Sequence, residues 1–357
     1  MERRLSRRRM PVVLAGLAAF LAAGVLTWVA TGSEADGVVG YARETAHAQA
    51  RGEDLSFDLW YPSGPGGRAV TVGGNGVFHG TPAGRNAPRA EGRFPLVLIS
   101  HGAGGNAGQY GWIASALAED GYVVALPNHP GSTSGRASAE EAVKLWLRPP
   151  DLSAVIDAIA ADPEGHPNID PDRIAVLGFS AGGYTAMAVA GARVDPDRLA
   201  AFCDEVGRGT SDCAFLAAGS VDLHAMDLTP AARDHRDPRI DAAVVIDPGT
   251  VTTLTVESLA AIAIPMLVIN LGAEESVPPA LHARAAADRI PGAEYRVVPD
   301  ALHFSFLAQC RPRGAAILQD EGEPNPLCDD AGGRSRAAIH AELREAILGW
   351  LDARLGE

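Results

Sequence analysis

Short apolar runs alternate with segments of helical period along most of this chain. FPLVLIS (94–100), YVVALP (122–127), RIAVLGF (173–179), DAAVVID (241–247), IPMLVIN (264–270) and EYRVVP (294–299) are apolar without a period of two. Such runs predict strands covered on both faces. Between them NAGQYGWIASALAEDG (106–121), DLSAVIDAIAAD (151–162) and AGGYTAMAVAGA (181–192) carry helical period, with Asp151 placed to cap the second. Strands spaced by helices give an α/β chain, a mostly parallel central sheet with helices on both faces.

The ends of that pattern differ. LSFDLWYP (55–62) alternates and reads as a half-buried strand, and the turn-rich stretch 64–92 that follows reads as a loop excursion. From Arg193 to Arg239 the rhythm breaks: charges, two cysteines and little periodicity predict a small cap insertion over the carboxyl edge of the sheet. The last helix is legible from one stripe, Ile339, Leu343, Ile347, Leu348, Leu351 and Leu355, which should dock on the sheet.

The first 35 residues stand apart as a signal peptide or membrane anchor, leaving 36–357 as the folded domain. MERRLSRRRM carries five arginines, and Pro11 to Ala30 follows without a charge. This is the pattern of an export signal or one spanning helix, with the arginines inside. The body is thereby expected outside the cytoplasm: periplasmic, extracellular or anchored through residues 11–30. The formal charge of −14 over 357 residues disfavours nucleic acid and anionic membrane surfaces as partners. Four cysteines, Cys203, Cys213, Cys310 and Cys328, suit an oxidising compartment. The pairings 203–213 and 310–328 need the least rearrangement, free buried thiols being the alternative, and the absence of C-x-x-C spacing argues against zinc.

The chemistry enters at VLGFSAGGY (176–184). A serine flanked by Gly178 and Gly182, after a strand and before a helix, has the form of a turn that lifts its hydroxyl above the sheet. Ser180 is the candidate nucleophile. The N–H of Ala181, opening the helix, and that of Ala103 in SHGAGGN, after an earlier strand, are the candidate oxyanion donors. His101 in that turn reads as an orienting group. Among ten histidines, His303 follows the last strand through a short loop and is the candidate base. His129, in PNHPGST after a strand end, reads as a pocket wall that touches substrate. Two places qualify for the acid that holds the base: Asp247, ending AAVVID, and Glu274 or Glu275 in LGAEESVPP. Asp247 is the first candidate, for its short side chain on a fixed strand.

SHGAGGN, PNHPGST, WLRPPDLSAVIDAI, DPDRIAVLGFSAGGYTA and ALHFSFL, from about residue 50 onward, resemble α/β-hydrolases of the group labelled predicted dienelactone hydrolases, related to platelet-activating factor acetylhydrolases. That resemblance implies an α/β-hydrolase fold and serine-dependent hydrolysis of carboxylic esters by a Ser-His-Asp/Glu triad, through an acyl-enzyme and without metal or organic cofactor. True dienelactone hydrolases use cysteine where this chain has Ser180, so the label does not name the substrate. In the acetylhydrolases the acid lies on the earlier strand, as VVIDPG does here. The expected substrate is a small-molecule, short-chain acyl ester; the alternatives are a lipase or polyester hydrolase, or a non-catalytic binding protein on the same fold.

Overall fold

Six apolar runs become the parallel part of one ten-stranded sheet. The computed structural model describes residues 39–323, 325–330 and 333–356. In chain order the strands are β1 (Val39–Ala48), β2 (Glu53–Pro62), β3 (Arg68–Val72), β4 (Thr81–Arg85), β5 (Phe94–Ser100), β6 (Val123–Pro127), β7 (Ile169–Phe179), β8 (Ala242–Ile246), β9 (Met266–Leu271) and β10 (Glu294–Val298). Across the sheet they run β10-β9-β8-β7-β5-β6-β2-β1-β4-β3. All pairs from β6 to β10 are parallel. After β5 the chain crosses to β6 on one side and then to β7 on the other. The strand order therefore reverses at β5, and the loops leaving β5, β7, β8 and β10 meet along one carboxyl edge, where such sheets bind ligands.

The period-free runs follow from two cores. In β5, Leu96 and Leu98 enter one core while Val97 and Ile99 enter the other. The helix Arg148–Ala161 covers the first face; Gly111–Glu119 and the C-terminal helix Arg336–Leu355 cover the second. The predicted stripe of that last helix is buried throughout, with no member more than 8% exposed.

Three local expectations are corrected. β2 is not half-buried: it lies between β1 and β6, and both of its faces meet a core, Phe57, Leu59 and Tyr61 on one side and Trp60 on the other. Its alternation comes from Asp58, which is fully buried and accepts hydrogen bonds from Tyr41 Oη at 2.9 Å and Arg43 Nε at 2.7 Å. The stretch 64–92 is not only loop, because β3 and β4 form an antiparallel hairpin there that extends the sheet edge. Asp151 does not cap its helix. The helix starts at Arg148 with prolines in its first turn, where a missing N–H costs nothing; Asp151 is buried one turn in.

Both disulfides join the sequence-local pairs, Cys203–Cys213 and Cys310–Cys328. The segment 193–239 contains the short helices Pro196–Ala200 and Ser211–Ala218, the second capped by Thr210 through Cys213 N–H. Among the described residues no helix is long and apolar enough to cross a membrane. The basic start and the apolar run 11–30 lie outside the described residues.

Candidate active site

Ser180 stands at the turn from β7 into the helix Ala181–Val189 with φ 56° and ψ −121°. A non-glycine residue there carries backbone strain, which the surrounding packing must hold. Ser180 N–H donates to Ile246 O at 3.0 Å, and Ser180 O accepts from Gly249 N–H at 2.8 Å, so the turn is tied to the loop after β8. The two flanking glycines are steric requirements. A Cβ on Gly178 would run into the Gly182 carbonyl, and one on Gly182 into that of Ser100. The turn thereby packs directly against the end of β5.

His303 lies in a short 3-10 turn after β10, its ring tilted on Phe179 with centroids 4.6 Å apart. Its Nδ1 is 3.0 Å from Asp247 Oδ2. Asp247 is itself 1% exposed at φ 41°, and its Oδ1 accepts from Leu271 N–H at 2.8 Å and Asn270 Nδ2 at 2.7 Å. Of the acids considered from the sequence, Asp247 is the one brought to His303. Glu274 instead meets Arg284 at 3.1 Å in an exposed pair, and Glu275 is exposed.

Asn270 is a residue the sequence reading missed. Its amide cannot be reversed, because Oδ1 accepts from Ala283 N–H at 2.9 Å and Nδ2 donates to Leu281 O at 2.9 Å. The NH2 group is therefore aimed at Asp247. Its signal was an asparagine ending an otherwise apolar central strand, where a buried amide needs partners for all its atoms.

The loop after β5 supplies the other side. Gly102 N–H donates to Tyr110 Oη at 3.0 Å, and the Ala103 N–H has no acceptor among the described residues. Ala181 N–H opens its helix and so has no intrahelical partner. Ala103 and Ala181 both border the space above Ser180. His101 orients this turn: its Nε2 accepts from His129 N–H at 3.2 Å, which leaves the proton on Nδ1 to donate to Gly102 O at 2.7 Å.

His129 is not a wall of the substrate space, contrary to expectation. It is fully buried beneath the turn, with Nδ1–H donating to Asp151 Oδ2 at 2.8 Å and Nε2 2.9 Å from Ser100 Oγ. Asp151 also takes a two-pronged contact from Arg51, at 2.7 and 2.8 Å. Beside them Arg148 reaches His101 O, Ser132 Oγ at 2.9 Å and Thr185 Oγ1 at 3.2 Å. Burial, reinforced by Arg148, holds both His101 and His129 well below the usual histidine range, so both stay neutral supports. A histidine after a strand end can turn either way; the buried aspartate in the helix Arg148–Ala161 is what draws this one inward.

A cavity of about 510 Å³ opens over Ser180 and His303. A smaller apolar pocket of about 50 Å³ adjoins it behind Ala103 and Ala181, bounded by Leu145, Leu199, Phe202 and Leu223. The segment 193–239 supplies Phe202, Asp212 and Phe215 to these walls, and the Cys310–Cys328 loop supplies Leu327.

The His303 turn is anchored from behind by His340, whose ring stacks on Trp112 at 3.6 Å and whose Nε2–H donates to Ser305 O at 2.9 Å. Burial lowers its pKa to about 4. A histidine depressed in the folded state contributes its stabilisation in full above the unfolded value near 6.5, and loses it as pH falls from there toward 4. Between pH 7 and pH 4.5 we expect the wild type to lose about 2 to 3 kcal/mol more than His340→Gln in urea unfolding. Equal losses in the two proteins would contradict this assignment.

Comparison with known proteins agrees with the architecture. The family described as the prolyl oligopeptidase family, Peptidase_S9, matches residues 108–207, a span that contains Ser180 and ends before Asp247. NocK of Nocardia uniformis subsp. tsuyamanensis, a protein that bears an esterase name, is 32% identical over 132 residues; the match covers 36% of this chain and 38% of that relative. A ferulic acid esterase from Streptomyces cinnamoneus superposes with TM-score 0.60 at 20% identity, over 89% of this chain and 90% of that one. A dienelactone hydrolase-like promiscuous phosphotriesterase from metagenomic libraries superposes with TM-score 0.50 at 15% identity, over 90% of this chain and 100% of its own. The chain has the α/β-hydrolase fold.

Proposed function

We propose that this chain, with its α/β-hydrolase fold, is a serine hydrolase of short-chain carboxylic esters. The observation that carries the reading is the contact of His303 Nδ1 with the buried Asp247 beside a strained, cavity-facing Ser180. Asp247 holds the proton on Nδ1 and leaves Nε2 free to take the Ser180 proton as the hydroxyl attacks the ester carbonyl. The Ala103 and Ala181 N–H groups hold the oxyanion; each such donor is typically worth about 3 to 4 kcal/mol. His303 then protonates the leaving alcohol, and water releases the acid by the same steps in reverse.

The acyl group is read from the small pocket. With about 50 Å³ behind the two donors, it has room for about three to four water-sized groups. Hydrolysis of p-nitrophenyl acetate or butyrate should therefore exceed that of the octanoate at least about tenfold in kcat/KM, since one methylene too many in an apolar pocket already costs that much. A higher value for octanoate would overturn the short-chain reading and favour a lipase.

Peptide hydrolysis is a second reading, favoured by the family match over 108–207. Acyl p-nitroanilides assayed beside the esters separate the two. The paired cysteines, with the basic and apolar start, support work outside the reducing cytoplasm.

A further inference from the structure

Asp212 is the carboxylate the mechanism leaves unused. It sits in the first turn of the helix Ser211–Ala218 and borders both the large cavity and the small pocket. Thr210 caps that helix, and the Asp212 side chain has no hydrogen bond or ion pair among the described residues. Neither lining contains a lysine or arginine. The other acid of the large cavity, Glu323, is occupied by Asn325 through N–H at 3.0 Å and Nδ2 at 2.7 Å. Burial raises the Asp212 carboxyl above the usual range, the nearby His303 pulling it partly back, and the residue remains partly exposed to this space.

Two aromatic rings share the wall. Phe202 is 4% exposed, whereas Phe215 is 40% exposed, one of few large apolar side chains left open to solvent. A carboxylate and aromatic rings lining one space are the chemistry that recognises an ammonium group, by charge and by cation–π attraction. The walls are also fixed in place: Phe202 precedes Cys203, Asp212 precedes Cys213, and these cysteines are joined. The disulfide thus ties together the two segments that bring Phe202 and Asp212 to this wall.

We infer that Asp212, with Phe202 and Phe215, forms a subsite for a cationic ammonium group on the ester substrate. The inference rests on the proposed esterase reading and adds the charge class of the substrate to it. Along these walls an anionic ester would face two carboxylates, Asp212 and Glu323, and no lysine or arginine.

The test compares a (trimethylammonio)ethyl thioacetate with its uncharged 3,3-dimethylbutyl counterpart, in wild type, Asp212→Asn and Asp212→Ala. The readout is the ratio of kcat/KM for the two esters within each protein, so a loss common to both cancels. The wild type should prefer the cation about tenfold or more, the scale of one charge-assisted contact, and both variants should bring the ratio to near one. A wild-type ratio at or below one, or a preference that survives Asp212→Asn, would overturn the subsite while leaving the esterase intact. If the variants do not fold, a wild-type comparison with a carboxylate-bearing ester of equal size decides: the expected order is cation, neutral, anion, and any other order overturns the subsite. Failure to turn over any of these esters, with no labelling of Ser180 by a fluorophosphonate, would defeat the esterase reading itself.

Discussion

Ser180→Ala should lower kcat for p-nitrophenyl acetate by about 10⁴- to 10⁶-fold, the usual cost of removing the nucleophile from a triad. The fold should survive, because the strain at this turn is held by backbone contacts: Ser180 N–H to Ile246 O, Gly249 N–H to Ser180 O, and the close glycine packing on either side. Alanine keeps all of these. Thermal unfolding near the wild-type midpoint, together with lost turnover, would therefore report chemistry and not collapse. Residual hydrolysis should come from the Ala103 and Ala181 donors and His303 acting on water. Turnover within tenfold of the wild type would show that another nucleophile does the work.

Asp247→Asn should cost about 10³- to 10⁴-fold in kcat at nearly constant structure, through the tautomer of His303. The reason lies in the donors already fixed on the far oxygen. Leu271 N–H and the Asn270 amide both point at Oδ1, and Asn270 cannot flip because Leu281 O and Ala283 N–H hold its two ends. An asparagine at 247 must then place its carbonyl toward those donors and its NH2 toward His303. That forces Nδ1 to accept, moves the proton to Nε2 and removes the base. Glu274→Gln and Glu275→Gln serve as the contrast, since Glu274 is engaged by Arg284 at the surface, Glu275 is exposed, and the His303 ring is paired with Asp247 instead. Steady-state kcat for the three variants checks this; a larger loss at either glutamate than at Asp247 would reverse the assignment.

Much of this arrangement was legible in the chain because its signals are local. A strand covered on both faces has no period, and a helix has one, so β5 to β9 and the last helix could be read from residue order alone, while β10, read as a strand of the same kind, is an edge strand buried only at Val298. Gly178 and Gly182 around Ser180 were readable for the same reason: the collisions they avoid involve the adjacent turn and the neighbouring strand end. What escaped depended on distant partners. His129 looked like a cavity wall because nothing near it in sequence shows Asp151 and Arg51 waiting beneath. Asp151, in turn, looked like a cap because capping is what an aspartate ahead of a helical run does when nothing else claims it. Asp58 made β2 look half-exposed, although a buried carboxylate answered by Tyr41 and Arg43 leaves the same alternation. Asn270 drew no notice at the end of an apolar strand, and its role exists only through Asp247 on the strand beside it.

The acid illustrates the limit most clearly. Asp247, Glu274 and Glu275 all follow strands at the same sheet edge, and residue type could not choose among them. The choice comes from position: β8 adjoins the serine strand β7, while the glutamates leave β9 one strand further out. The left-handed backbone at Asp247 then turns a short side chain toward His303.

The most direct measurement is to treat the folded protein with a fluorophosphonate and locate the adduct by peptide mass spectrometry, in wild type, Ser180→Ala and His303→Ala. One adduct is expected, on Ser180, absent from Ser180→Ala and formed far more slowly in His303→Ala, with ester turnover lost in proportion to labelling. An adduct on another residue, or full ester turnover by an enzyme whose Ser180 is never labelled, would contradict it.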